Sequence, residues 1–196
     1  MPFLTQIRAA PNLLTLLRLF ALPFLVIAIL DNHWNLAFAL ILFAGVTDGF
    51  DGLVARWLHQ QTTLGLYLDP IADKLLLSTL FITLTLVGDI PRYVTILVFS
   101  RDLGILLISI LLFATHTLRD FQPSFLGKIN TFIQIIAVGC LMGSHVRLIA
   151  HVIPHLVDIV GYMLIAIAIL APVSAAQYAW IVIRRISSNS TEDLQA

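Results

Sequence analysis

Residues 48–73 read DGFDGLVARWLHQQTTLGLYLDPIAD, four carboxylates separated by small residues and one arginine, set between stretches apolar enough to lie in a bilayer. An uncompensated charge in hydrocarbon costs several kcal/mol, so acids at a membrane boundary call for a partner. Asp48 and Asp51 close one apolar stretch, and Asp69 and Asp73 open the next. On α-helices such spacings leave each pair within about 60° on one face. The link Leu58–Leu64 is short, which makes the two helices antiparallel neighbours with opposed acidic walls. Like charges so placed repel unless a cation sits between them, and all-oxygen ligation suits Mg²⁺ or Mn²⁺ better than Zn²⁺.

Outward from this stretch, 59 % of the 196 residues are hydrophobic and only 11 % charged. The composition is that of an all-α integral membrane protein. Apolar runs of spanning length cover Asn12–Leu30, Trp34–Trp57, Gly65–Val87, Arg92–Thr115, Gly127–Val146 and His155–Ile183, which predicts six transmembrane helices, the last tilted or kinked at Pro172. Pro11 stands where a helix N1 proline would, and no small-residue cleavage site follows the first run, so that run is read as a retained helix. No linker or repeat interrupts the blocks. Residues 1–186 are therefore read as one catalytic membrane domain and 187–196 as a flexible tail. Arg8, Arg18, Arg56, Lys74, Arg119, Lys128, Arg184 and Arg185 fall on one side of the spans, against Arg92, Arg147 and the deeper Arg101. The positive-inside rule then places both termini and the aspartates at the cytoplasmic face. A net charge of zero argues against a nucleic-acid partner, and the lone Cys140 reads as a core thiol.

Gly49, Gly52, Ala55 and Gly65 lie on or beside the acidic face, where they either bring backbones together or leave room for a bulky ligand. Arg56 reads as a topology anchor, an ion-pair partner or, favoured by its place one turn from Gly52, a phosphate grip. Aspartates with a divalent ion and an arginine at the lipid interface suit a substrate carrying a diphosphate and a lipid tail. One carboxylate would take the proton of an incoming hydroxyl. Asp73, followed by Lys74, is the best placed, although sequence does not separate base from ligand.

The pattern Asp48-x-x-Asp51-Gly52-x-x-Ala55-Arg56, eight residues, then Gly65-x-x-x-Asp69-x-x-x-Asp73 resembles the full signature of the CDP-alcohol phosphatidyltransferases. Pro11-Asn12-Leu13-Leu14-Thr15 with Arg18 is similar to the first helix of bacterial and mitochondrial members. The resemblance implies a six-helix enzyme, usually dimeric, that moves the phosphatidyl group of CDP-diacylglycerol to an alcohol and releases CMP. Asp48, Asp51, Asp69 and Asp73 would hold two metal ions, with Asp73 also the general base. Gly52, Arg56 and Thr62, with Ala55 and Gly65, would serve the CDP-diacylglycerol site, and Pro11 and Asn12 would line the nucleotide pocket. The membrane would be a bacterial plasma membrane or a mitochondrial inner membrane, with the site on its cytoplasmic or matrix side. For the acceptor, Ser100-Arg101-Asp102 and Gln122–Thr131 with Gln134 look more like members that use phosphatidylglycerol and make cardiolipin. Members that take glycerol 3-phosphate tend to carry Arg-Glu in the first motif and a further Lys where Asn130 stands. A dianion asks for more positive charge than a phosphodiester.

Arg101, Lys128 and Asn130 are the acceptor-site candidates; Arg101 with Asp102 also reads as a buried structural pair, and Lys128 as a headgroup contact. His151 and His155 have metal-pair spacing, but Pro154 breaks the helix between them, and the histidines fit span ends better. Trp34, Trp57, Trp180 and Tyr93 suit an interfacial belt. A cation transporter is the non-enzyme alternative, weakened by the absence of repeated halves. A membrane prenyltransferase would carry its Asp-rich motifs far apart, and an intramembrane aspartyl protease would carry a flanking Gly motif.

Overall fold

The computed structural model describes the backbone of residues 10–57, 63–114 and 125–193, and the side chains of 12–49, 71–108 and 125–184. Among the described residues there are seven helices and no strand: α1 Ala10–Leu30, α2 Trp34–Trp57, α3 Thr63–Val87, α4 Arg92–Ala114, α5 Phe125–Ser144, α6 Arg147–Val152 and α7 Leu156–Asp193. The chain is an integral membrane protein. Among the described residues, three of the six runs expected to cross the bilayer lie in helices long and apolar enough by themselves, within α1, α5 and α7, and the described part of α2, Trp34–Gly49, is also apolar. Asp73 and Lys74 lie in α3, and Arg101 and Asp102 lie midway along α4. The short α6 was not foreseen. It ends before Pro154, and α7 starts after it, so His151 and His155 share no helical face. Helix α7 passes Pro172 and continues through residues 187–193, where a loose tail was expected to begin.

The chain packs as two compact units, residues 1–90 with 138–157, and residues 91–137 with 158–196. No linker marks this division, because it falls at Ile90–Pro91 and within the lengths of α5 and α7. In the first unit α1 packs against both α2 and α3. Its buried residues recur at helical spacing, Asn12, Thr15, Arg18, Leu25, Ala28 and Ile29, while Leu13, Leu16, Leu17, Phe20, Phe24 and Ile27 face outward. Lipid solvates those outward side chains as well as a core would, so burial of apolar surface alone does not bind the helices. Close packing and polar bonds do.

Two turns set the helical hairpins. Asn32 takes a left-handed φ of 59°, with its N–H on Ile29 O and that of His33 on Ala28 O, a Schellman closure of α1. Gly88, φ 94°, closes α3 the same way, with Gly88 N–H on Thr85 O and Asp89 N–H on Leu84 O. Pro91 then starts the chain toward α4. Beside this second turn the His145 ring stacks on Trp34, centroids 3.7 Å apart, and its Nε2 lies 2.9 Å from Asp89 Oδ2. These residues tie the start of α2, the end of α5 and the α3–α4 turn together.

In the second unit Arg101 Nε donates to Ser174 Oγ at 3.2 Å, and Tyr178 and Val182 are buried against Ile105 and Ile108. The contacts advance in the same sense along both helices, so α4 and α7 run parallel.

Candidate metal and headgroup site

The inner face of α1 changes character along its length. Leu25, Ala28 and Ile29 are apolar, whereas Asn12, Thr15 and Arg18 are polar and at most 1 % exposed. A buried guanidinium is tolerated only where anions meet it. Arg18 Nη1 lies 2.5 Å from Asp48 Oδ1 of α2 and 2.7 Å from Asp73 Oδ1 of α3. A single nitrogen thus joins one carboxylate from each acidic wall. Arg18 is 1 % exposed while the Asp48 and Asp73 side chains are 47 % and 49 % exposed. The cation therefore approaches from inside the helix packing, and the acids present their other side outward.

This geometry bears on the opposed walls read from sequence. For Asp48 and Asp73 the walls do oppose. The side chains of Pro11, Asp51, Gly52, Ala55, Arg56, Gly65 and Asp69, and all of Thr62, lie outside the described residues. Among the described residues no three His, Cys, Asp or Glu side chains come together to hold a metal. The donor set nevertheless fits a divalent ion. Hard carboxylate oxygens from two helices already converge on one positive group, which stands where their repulsion must be answered. A Cβ placed on Gly49, beside Asp48, would meet nothing within 4 Å. Its smallness is not demanded by helix contact, and the space beside the acid is open.

Sequence reasoning counted Arg18 as a topology charge and as part of the first-helix motif, but missed its pairing with the aspartates. The signal was present. Arg18 lies 12 residues before the end of α1 and Asp48 lies 14 after the start of α2, so across the tight Asp31–His33 turn the two stand at nearly the same depth. An arginine well inside an apolar helix needs an acid at its own level.

The acceptor candidates lie in the second unit. Arg101 is 7 % exposed, with Nη1 on the adjacent Asp102 at 2.5 Å and Nε on Ser174. The Arg101–Asp102 pair is thus local to α4, and the Ser174 bond is what reaches α7. Lys128 is exposed at the start of α5. Asn130 is fully buried, and among the described residues neither its Oδ1 nor its Nδ2 has a hydrogen-bond partner; Gln134, one turn on and 2 % exposed, has an Nε2 without a partner among them. Each such group costs about 1–3 kcal/mol when nothing satisfies it. Toward the end of α7, the Arg184 guanidinium lies 5.5 Å from the Trp180 ring centroid, an interfacial cation–π contact.

Comparison with known proteins gives this geometry a context. The family model of the CDP-alcohol phosphatidyltransferases matches residues 8–183. A protein of Mycobacterium tuberculosis named probable phosphatidylglycerophosphate synthase is 38 % identical over 134 residues, 65 % of this chain and 63 % of that protein. A cardiolipin synthase (CMP-forming) of Rattus norvegicus is 35 % identical over 154 residues, 69 % of this chain and 50 % of that protein. The Homo sapiens protein of that name is 33 % identical over 154 residues, 69 % of this chain and 50 % of its own length. The chain thus spans between half and 63 % of the length of these relatives.

Proposed function

Because the chain belongs to the CDP-alcohol phosphatidyltransferase family, whose members use divalent metal ions, we propose that it transfers the phosphatidyl group of CDP-diacylglycerol to a hydroxyl acceptor and releases CMP. The observation that carries this reading is the meeting of Asp48 and Asp73, from two helices, on one positive group. Asp48, Asp51, Asp69 and Asp73 would hold two ions, Mg²⁺ or Mn²⁺. When bound, the ions supply charge neutralisation of the diphosphate and polarisation of the phosphorus.

The chain's own residues do the rest. Asp73 accepts the proton of the acceptor hydroxyl as its oxygen bonds to the lipid-bearing phosphorus, and the bond from that phosphorus to the CMP oxygen breaks. Pro11, Asn12, Gly52, Ala55, Arg56, Thr62 and Gly65 hold the CDP-diacylglycerol, Arg56 through its fork of donors on phosphate. Burial of Asn12 and Thr15 on the face that carries Arg18 favours a polar lining there.

For the acceptor we favour phosphatidylglycerol, giving cardiolipin, with Arg101, Lys128 and Asn130 at its site. Relatives with both synthase names match at similar identity, so the preference rests on Asn130. A neutral, fully buried amide with unmet hydrogen-bonding capacity suits hydroxyl and phosphodiester groups better than a phosphate dianion. Glycerol 3-phosphate is the second reading, and the M. tuberculosis relative's name favours it. The parallel α4 and α7 are what six crossings require, and the distribution of Lys and Arg supports a cytoplasmic or matrix-facing site in a bacterial plasma or mitochondrial inner membrane. A homodimer is the assembly proposed.

The test supplies the purified chain in nanodiscs with CDP-diacylglycerol and Mg²⁺, offering phosphatidylglycerol and glycerol 3-phosphate separately. CMP release with phosphatidylglycerol, abolished by EDTA, is expected. Product from neither acceptor would refute the assignment, and Mg²⁺ flux without CMP release would favour a transporter.

A further inference from the structure

We propose that Arg18 is a positioning residue for the metal centre, tying one oxygen of Asp48 and one of Asp73 from beneath so that the two carboxylates are held at ligating separation before any ion arrives. The inference rests on the reading of Asp48 and Asp73 as metal ligands, and it goes beyond that reading by assigning a role to α1.

Three observations carry it. The same atom, Nη1, contacts Oδ1 of both acids, at 2.5 and 2.7 Å. The guanidinium is 1 % exposed whereas the acids are about half exposed, so Arg18 and an incoming ion approach the carboxylates from different sides. Arg18 also sits in a built polar face, one turn from Thr15 and two from Asn12, all at most 1 % exposed. A planar, permanently charged group can hold two carboxylates at a fixed angle, which a flexible ammonium cannot do equally well. Groups that orient metal ligands in this way typically change metal affinity by about 10–100-fold when removed.

The sign of the effect separates this role from its rivals. A guanidinium that merely occupied the ion's place would compete with it, and its removal would tighten metal binding, as would the simple loss of a nearby positive charge. A purely structural ion pair would lower stability without changing the affinity of the folded protein. Positioning alone makes the affinity fall.

The experiment measures Mn²⁺ binding to the full chain in detergent micelles by electron paramagnetic resonance, without substrate, for wild type, Arg18→Met, Arg18→Lys and the pair Asp48→Asn with Asp73→Asn. The expected result is a dissociation constant raised tenfold or more by Arg18→Met, an intermediate rise for Arg18→Lys, and loss of binding in the double aspartate variant. An Arg18→Met constant within twofold of wild type, or a tighter one, would overturn the proposal while leaving the metal site intact. Absence of Mn²⁺ binding by the wild type would overturn the metal reading itself, and the proposal with it. Should Arg18→Met not fold, Arg18→Lys decides, and wild-type affinity in that variant counts against positioning.

Discussion

The bridge from Arg18 to Asp48 and Asp73 predicts that removing both acids costs the fold more than the sum of removing each. Replacing Asp48 or Asp73 alone by Asn deletes one charge-assisted hydrogen bond, a class worth about 1.5–3 kcal/mol. Both acids are about half exposed, 47 % and 49 %, so screening by water brings the single loss to about 1 kcal/mol, with the second acid still answering the buried cation. Replacing both removes two of the anions that answer a guanidinium at 1 % exposure, and breaking a buried ion pair costs about 3–5 kcal/mol. The excess of the double variant over the two singles is then about 1–3 kcal/mol. Relief of repulsion with other acids enters each single and the double alike and cancels in the cycle, whereas the direct Asp48–Asp73 repulsion is relieved in both singles but only once in the double and so adds to the excess with the same sign. The assay is unfolding of the full chain in mixed micelles by rising SDS fraction, with EDTA present so that metal contributes nothing. Additivity within about 0.5 kcal/mol would show that the two acids do not share the cation, and would refute the geometry.

Asp73→Asn should abolish turnover while leaving much of the CMP affinity, measured by CMP release and by equilibrium binding, and an unchanged rate would refute its role as base. Asn130→Lys should shift the ratio of activity with glycerol 3-phosphate to that with phosphatidylglycerol upward, and an unaltered ratio would count against that position as an acceptor determinant. Gln134→Met, which removes a buried polar group that has an unpartnered Nε2, should leave the free protein as stable or more so while raising the acceptor KM; a loss of stability above about 1 kcal/mol would mean that Gln134 is satisfied within the protein. Ser174→Ala removes the acceptor of the Arg101 Nε bond and should cost about 1–3 kcal/mol in the same unfolding assay, with no loss meaning that the bond does not join α4 to α7.

The helices were readable because the bilayer imposes a length and because their ends carry recognisable residues. Asp31-Asn32-His33 marked a tight turn, and Asn32 supplies the left-handed residue that closes α1. The end of α2 at Trp57 and of α3 at Val87 likewise follow where the apolar runs stop. What composition could not reveal was packing. The division at Ile90–Pro91 and within α5 and α7 leaves no linker, and the short α6 is too brief to show a period. The tail from Ser187 is polar enough to read as coil, yet its backbone extends α7 to Asp193, since a helix already nucleated propagates more cheaply than it starts.

The site was legible as chemistry and only partly as geometry. Charge in an apolar context made the aspartates conspicuous, and Asp48 and Asp73 both contact Arg18. The pairing of Arg18 with the acids escaped because neither a topology count nor the first-helix motif uses depth, whereas depth along the hairpin gives it a level with Asp48. The distinction matters in lipid, where water cannot answer a buried polar group. The half-exposed Asp48 and Asp73 answer the buried Arg18, so its burial needs no ligand to be stable. Asn130, also buried, meets no hydrogen-bond partner at either polar atom among the described residues, and an amide in that condition is stable only at a cost that a bound polar group would remove. On the proposed function, the first arrangement would serve the charged phosphatidyl donor and the second a hydroxyl-bearing acceptor.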